Sequence, residues 1–405
     1  MQRTNVIQLM PSKKQEKILR ECMLLSSCVY NITNYKVRQQ IFAGERVSNF
    51  FDLQQKVQHE ADYQRLGRSY ALPRIQVYSE TNSAMFKLIK SKTQRMVGLP
   101  KYLKNRKTNT TLPSYLVMDG CQYAIGKERV TLPLSRQLRK EYGVKQFKIK
   151  YNGVLRWQGA QLRGQVHFED DKFYLYQALE VKDPVKVASD VFAGIDLGIK
   201  RLFAITTSTS ADKIIGSKRH YEQWLHLSGL IAKERSRLEL CAGRKTSKKL
   251  SRLFLVRAKY QENLYNNLVN KTVKFLIKHG VCKVFVGDVA HILDDADFGR
   301  SGNKMLHNYW AFDKIYRKLA NKCEEHGIEM EKQDESYTSQ TCPVCGIADR
   351  ANKKDRLFLC GFCGFFGDRD LVGSSNILVN GMHGQWESVH QGEAALLRGC
   401  SNAIA

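Results

Sequence analysis

Four cysteines constrain this chain more than any other feature. They form two pairs, Cys342-x-x-Cys345 and Cys360-x-x-Cys363, with fourteen residues between them. Knuckles at this spacing place four thiolates tetrahedrally around one Zn²⁺, and a ribbon this small has too little apolar material to fold without the metal. Gly346 and Gly364 follow the two pairs directly, where a knuckle turn brings backbone close and leaves little room for a side chain. All four positions are filled by protein, which predicts one closed, structural zinc site and not a catalytic one. The other seven cysteines (Cys22, Cys28, Cys121, Cys241, Cys282, Cys323, Cys400) are scattered and read as ordinary buried residues.

Charge is the next constraint. Sixty-five Lys and Arg stand against 39 Asp and Glu, a formal net charge of +26 over 405 residues. That excess implies a polyanionic partner, and nucleic acid is the commonest because each neutralised phosphate releases condensed counterions. A ribosome-bound or membrane-surface protein is the blander reading of the same number. No stretch approaches the ~18 apolar residues of a membrane span, and the polar opening Met1 to Asn5 is no signal peptide. The expectation is a cytoplasmic, nucleoid-associated protein without disulfides.

Along the chain, Thr4 to Leu9 reads as a strand, and Ser12 with Gln15 as a capping box. Ile18, Cys22, Leu25, Val29 and Ile32 then make one helical face. Helical patterning resumes near Ile75 and runs to Lys92. From Leu116 the pattern alternates: Gln146 to Tyr151, Gln161 to Phe168 and Lys172 to Val181 predict strands of a small barrel, with Asp170-Asp171 as a hairpin turn. Asp183-Pro184 marks a boundary. Strands are then predicted at Phe192 to Ile195, Arg201 to Thr206 and Val281 to Val286. A basic helical stretch runs from about Ser228 to His279, broken at Gly243. Phe312, Ile315, Leu319 and Cys323 form a further helical face. After Asn380 periodicity is lost.

Carboxylates stand at two places where the chain changes direction. Gly194-Ile195-Asp196-Leu197-Gly198-Ile199 ends a strand, and Asp368-Arg369-Asp370 leaves the cysteine ribbon ahead of Ser375-Asn376-Ile377-Leu378, the start of a helix. An Asp ending a strand is often only a turn former. Carboxylates on separate elements can also share hard Mg²⁺ ions, a third usually completing the cage.

Taken in order, these runs resemble the TnpB family of transposon proteins, with its Fanzor and type V CRISPR effector relatives. The resemblance covers nearly the whole chain. It rests on Leu9-Met10-Pro11 through Gln15, the GIDLGIK strand, the basic helical pair, the His307 to Phe312 segment, the run from Glu335-Ser336-Tyr337-Thr338-Ser339-Gln340-Thr341 into Cys342, and the Asp-Arg-Asp exit. It implies an α/β chain with a ribonuclease H-like (RuvC) nuclease domain at 186–340 and 367–380, and a zinc ribbon inserted at 341–366. A helical recognition domain at 11–115, a small β-barrel (wedge) domain at 1–10 and 116–185, and a flexible tail at 381–405 complete it. It further implies Mg²⁺-dependent cleavage of double-stranded target DNA directed by a bound guide RNA, with Asp196, Glu335 and Asp370 holding two Mg²⁺ ions.

Two positions depart from the family pattern. Most members end the strand here written Val284-Phe285-Val286 with Glu, where this chain has Gly287 followed by Asp288. In a similar subset the Glu is relocated to the residue just before the Ser/Ala-Tyr-Thr-Ser run, the place of Glu335. The ordinary alternative for Glu335 is a solvated loop carboxylate, with Asp288 as the other candidate third acid. Val372 stands where members usually have Asn. These departures keep open a cleavage-incompetent repressor that binds RNA and DNA. A strand-joining transposase and a type V CRISPR effector are further alternatives. Basic runs such as Lys101, Lys104, Arg106 and Lys107, or Arg244, Lys245, Lys248 and Lys249, grip phosphates or are merely solvated. Tyr63, Tyr70 and Tyr78 stack bases or fill the core.

Overall fold

The structure, a computed structural model, describes residues 1–90, 98–199, 201–289, 309–354 and 356–383. Lys200, His307, Asn308, Cys400 and most of the expected tail lie outside the described residues. The chain divides into two compact units, Met1–Asp183 and Pro184–Ala405.

In the first unit, strand β1 (Gln2–Met10) buries Asn5, Ile7 and Leu9 by its two-residue alternation. Ser12 then caps helix α1 (Lys13–Phe42) with the expected reciprocal box to Gln15. The predicted face turns inward at Ile18, Cys22, Leu25 and Val29. Helices α2 (Phe50–Val57), α3 (Ala61–Leu66) and α4 (Arg68–Lys90) follow. The start of α4 lies ahead of the expected one near Ile75, because Pro73 sits inside the helix and interrupts its pattern. Tyr63, Tyr70 and Tyr78 are buried and fill the core of this unit.

The same unit holds strands β2 (Leu116–Met118), β3 (Ala124–Ile125), β4 (Arg129–Leu132), β5 (Phe147–Asn152), β6 (Ala160–Glu169) and β7 (Lys172–Glu180), with a short helix α5 (Arg136–Tyr142) after β4. With β1 they form one sheet in the order β2-β6-β7-β1-β5-β4-β3. Its two outer strands are joined only by residues 119–123, a span of roughly 20 Å at full extension. Six strand spacings laid flat would set these strands roughly 29 Å apart, so the sheet is bent. Asp170 and Asp171 both adopt positive φ, 51° and 62°, as the tight turn between β6 and β7 requires.

The second unit is a mixed α/β layer. Strands β8 (Val191–Asp196), β9 (Phe203–Thr207), β10 (Asp212–Ile215), β11 (Val281–Asp288) and β12 (Glu329–Asp334) form a sheet in the order β10-β9-β8-β11-β12. The central pairs β8–β11 and β11–β12 are parallel. Helices α6 (Lys218–Ala242), α7 (Lys248–Lys278) and α8 (Phe312–Glu325) accompany it, and Ala193, Ile195, Val284 and Val286 pack with Leu264, Leu268 and Ile315 from α7 and α8. Alternation turns Phe192 and Phe285 to the other face, against Ile377 and Leu378 of helix α9 (Arg369–His383).

The basic helical stretch starts ten residues before Ser228, at Lys218, and breaks at Gly243 with φ 54°. Two cysteines correct the expectation of burial. Cys121 lies in a tight turn and Cys241 in the last turn of α6, where both are exposed, while Cys28 and Cys282 are half-buried. Strands β13 (Lys353–Lys354), β14 (Leu357–Leu359) and β15 (Phe366–Asp368) make a small separate sheet around the cysteine knuckles. Among the described residues no helix is long and apolar enough to cross a membrane.

Candidate functional site

The four cysteines of the ribbon converge. Their Sγ atoms all lie within 4.8 Å of one another, with Cys342 to Cys363 at 3.5 Å and Cys345 to Cys360 at 3.6 Å. These separations are too long for a disulfide and close to the edge of a tetrahedron with Zn–S bonds of about 2.3 Å. Gly346 and Gly364 take φ of 75° and 73°, and each donates its N–H to the first cysteine of its knuckle, at 2.9 and 3.1 Å. The donor set fits zinc. Val372, the residue in place of the usual Asn, is buried here with Cys342, Cys360 and Phe358. It packs the ribbon onto α9.

The carboxylates are positioned by the sheet. Val286 of β11 is paired in register with Ile195 of β8, so the next residues, Gly287 and Asp196, stand side by side at the strand ends and on one face. Helix α9 lies on this face because its small residues allow close approach. A Cβ built on Gly194 would stand 2.1 Å from the Ser374 carbonyl oxygen, and one on Gly373 would stand 2.8 Å from Asp196 Oδ2. Helix α9 begins at Arg369, directly after Asp368, whose carboxylate accepts the Asp370 N–H at 3.0 Å. This places Asp370 in the first turn, within electrostatic reach of Asp196.

Glu335 enters from the loop after β12. Its Oε2 occupies the space above Gly287: a Cβ there would lie 2.6 Å from that oxygen and 3.3 Å from the Glu335 Cβ. The relocated acid thus fills the volume that a side chain on the strand end would have taken. Asp288 points the other way by strand alternation, and pairs with Lys332 at 3.1 Å. The Lys332 ammonium lies over the rings of Tyr316 and Phe312 on α8.

The electrostatics follow from this crowding. Burial, and then the charges of Asp196, Asp288 and Asp334, push the Glu335 carboxyl up to about 8. Burial and then Asp370 push Asp196 up to about 7, against the pull of Arg369. Glu335 and Asp196, hard oxygen donors raised by burial and then by neighbouring charge, suit a divalent cation that removes the repulsion. The three acids are not drawn as tightly as the thiols: among the described residues only the cysteine group has its ligand atoms within 4.8 Å. Asp370 is meanwhile held by Arg356 at 3.3 Å and Arg201 at 3.5 Å, and Arg201 also binds Asp368. Nothing in the residue pattern marked Arg201, Arg356 or Asn376 beforehand. The buried Asn376 amide donates to the carbonyls of Thr338 and Thr341, at 2.6 and 2.9 Å, and so ties the Glu335 loop to α9.

On the face of the sheet covered by α7, a groove of about 850 Å³ runs along edge strand β10. Lys271, Lys274 and Lys278 line it from successive turns of α7 and Lys213 from β10, with Asp212 at its margin. None of the four lysines forms an ion pair with a carboxylate among the described residues.

Comparison with known proteins adds the family. Residues 176–293 match a family described as "Probable transposase" and residues 312–377 the Cas12f1-like TNB domain. The chain is 26% identical over 420 residues to the TnpB-like protein ORF457 of Acidianus two-tailed virus, covering 93% of this chain and 86% of that protein. A Methanocaldococcus jannaschii protein carrying a transposase name is 37% identical over 81 residues, 18% of this chain and 73% of its own length. The CRISPR-associated endodeoxyribonuclease Cas12f1 of Syntrophomonas palmitatica is 27% identical over 214 residues, 51% of this chain but only 39% of its own length. The chain belongs to the TnpB family.

Proposed function

We propose that the chain is an RNA-guided DNA endonuclease whose second unit has the ribonuclease H-like (RuvC) fold and cuts at the Asp196–Glu335–Asp370 site. One observation carries the reading: the Glu335 carboxylate fills the space above Gly287, beside Asp196 at the ends of two parallel strands. An acid drawn across from a loop into this space, against a desolvation cost, has no structural use there. Sequence choice falls to a guide RNA pairing with one strand of double-stranded DNA, while the protein holds backbones and reads a short adjacent motif. The groove along β10 offers lysines for such backbones. Residues 11–115 act as the recognition domain, and residues 1–10 with 116–185 as the wedge barrel. Residues 186–340 and 367–380 form the nuclease, 341–366 the zinc ribbon, and 381–405 the tail.

Asp196, Glu335 and Asp370 would hold magnesium, two ions in this reading, which when bound supplies positive charge to the phosphate under attack. The protein's own part is placement. Strands β8 and β11 set Asp196 against Glu335, and Asn376 anchors the loop that carries Glu335. Arg201 and Arg356 keep the Asp370 carboxylate neutralised until a cation takes it. That same clamp favours a second reading, a protein that binds DNA under RNA guidance and represses without cutting.

Cleavage decides between them. The protein is co-expressed with the DNA flanking its gene, its bound RNA is identified, and the complex is given Mg²⁺ and a plasmid with the matching target. Guide-dependent cutting that is lost in Asp196→Ala, with RNA binding retained, is the expected result. Guide-dependent binding with no cutting establishes the repressor, and cutting by Asp196→Ala at the wild-type rate refutes the site.

A further inference from the structure

We propose that Tyr337 is a positioning residue that stacks on a base of single-stranded DNA beside the carboxylates, an inference that rests on the nuclease reading above. The Thr338 N–H closes a four-residue turn onto the Glu335 carbonyl at 3.2 Å, and Tyr337, the third residue of that turn, has φ 62°. Turns with positive φ at this place are built with glycine or asparagine, and a bulky side chain there is strained.

The surroundings leave the backbone no way out. The Tyr337 carbonyl accepts from the Gln340 N–H at 2.8 Å and from both the N–H and the hydroxyl of Thr341 at 3.0 Å. The Ser336 N–H and hydroxyl bind the Asp334 carboxylate, at 2.9 and 2.7 Å. Asn376 then locks the far side of the loop through the Thr338 and Thr341 carbonyls.

In exchange for this strain the tyrosine obtains nothing from the fold. Its side chain is 66% exposed, and among the described residues its ring meets no other ring and its hydroxyl has no hydrogen bond. Glycine at 337 would fold with less strain, so the aromatic ring has a use outside the folded chain. Retained strain at a fixed position points to function. The position narrows the partner. Tyr337 lies two residues from Glu335, whose carboxylate reaches the site, so a phosphodiester bound there brings its own bases within a nucleotide of the ring. A base offers any aromatic side chain a flat apolar face, whatever the sequence.

The test uses the full-length protein with its co-expressed RNA and a single-stranded DNA oligonucleotide carrying 2-aminopurine at successive positions, with Ca²⁺ in place of Mg²⁺ to separate binding from cutting. Wild type, Tyr337→Phe and Tyr337→Trp are expected to quench the fluorescence at one position, and Tyr337→Ala and Tyr337→Gly to leave it unquenched. In Mg²⁺ the two non-aromatic variants should lose kcat/KM by roughly 5- to 150-fold, the range that one stacked base provides. Tyr337→Gly should also raise the thermal midpoint, by about 2–4 °C, so a weaker enzyme with a firmer fold is the signature. Wild-type quenching and cutting by Tyr337→Ala and Tyr337→Gly overturn the stacking role and leave the nuclease reading intact. Equal loss in the Phe and Trp variants reduces Tyr337 to a structural part. If wild type quenches the probe but never cuts, the nuclease reading falls and the stacking contact survives it.

Discussion

At position 287 it is a missing side chain that shapes the site. Gly287→Ala removes no functional group, yet its Cβ would stand 2.6 Å from Glu335 Oε2, so the carboxylate has to move. A displacement of about 1 Å in a catalytic group costs on the order of 100-fold, and single-turnover cleavage should show it. Asp288→Ala should cut within a few-fold of wild type, since Asp288 faces Lys332 and α8. The raised acid also carries a stability cost with a definite sign. A carboxyl that titrates near 8 when folded and near 4.5 when unfolded keeps its proton longer in the folded state, so stability falls as pH rises between those values and is lowest above 8. In metal-free buffer Glu335→Gln should therefore melt several degrees higher than wild type at pH 8 and no differently at pH 4. A Glu335→Gln variant that melts lower at pH 8 would show that the acid is not desolvated. Of these residues, Asp196 and Asp370 were legible because each ends or begins an element. Glu335 was linked to the Gly287 strand end only through the family resemblance, because no local pattern shows that a strand and a loop far apart in the chain meet.

Helix α9 organises the site more than its length implies. Its residues Gly373 and Ser374 allow the approach to β8, and Asn376 holds two carbonyls of the loop that carries Glu335. Asn376→Ala leaves both carbonyls buried without a donor, so a loss of roughly 2–4 kcal/mol in denaturant unfolding is expected, with cleavage falling further than stability. Helix α7 makes a separate case. Each lysine that neutralises a phosphate contributes about 0.7–0.9 to the salt dependence of binding. Replacing Lys271, Lys274 and Lys278 with alanine should flatten the plot of log affinity against log salt by about 2, and an unchanged slope would remove the groove from the binding surface. Helix boundaries show where local patterns lose their force. The capping box of α1 was visible as Ser12 and Gln15. The start of α6 was hidden, because Ser217 makes no side-chain cap and the first turn holds no acidic residue, so a favourable charge at the helix dipole is missing. The early start of α4 was masked by Pro73.

Over the whole molecule, the ribbon is a connector as much as a module. The chain passes from Glu335 through all four thiols to Asp370, so a zinc ion held there would fix how two acids on separate segments are brought together. One zinc per chain is expected by elemental analysis. Cys360→Ser should lose it, along with at least tenfold in cleavage, although no thiol needs to touch DNA; full activity without zinc would show that the acids hold their places unaided. The cysteine spacing was readable because four ligands on a short segment leave few other folds, whereas the strand order of the first unit's sheet is set by pairings between distant segments that no local pattern shows. The glycine on β11 has a consequence for ancestry as well. A lineage that moves its acid between neighbouring backbones must pass through a protein with two acids in one space or with none, and either ancestor cuts poorly. Such an exchange would bind both positions into a single inherited trait. Gly287→Glu should be harmful alone and tolerated only with Glu335→Gly, so a search for active relatives that inspects one alignment column will discard proteins that merely keep the same acid on the other side of the space.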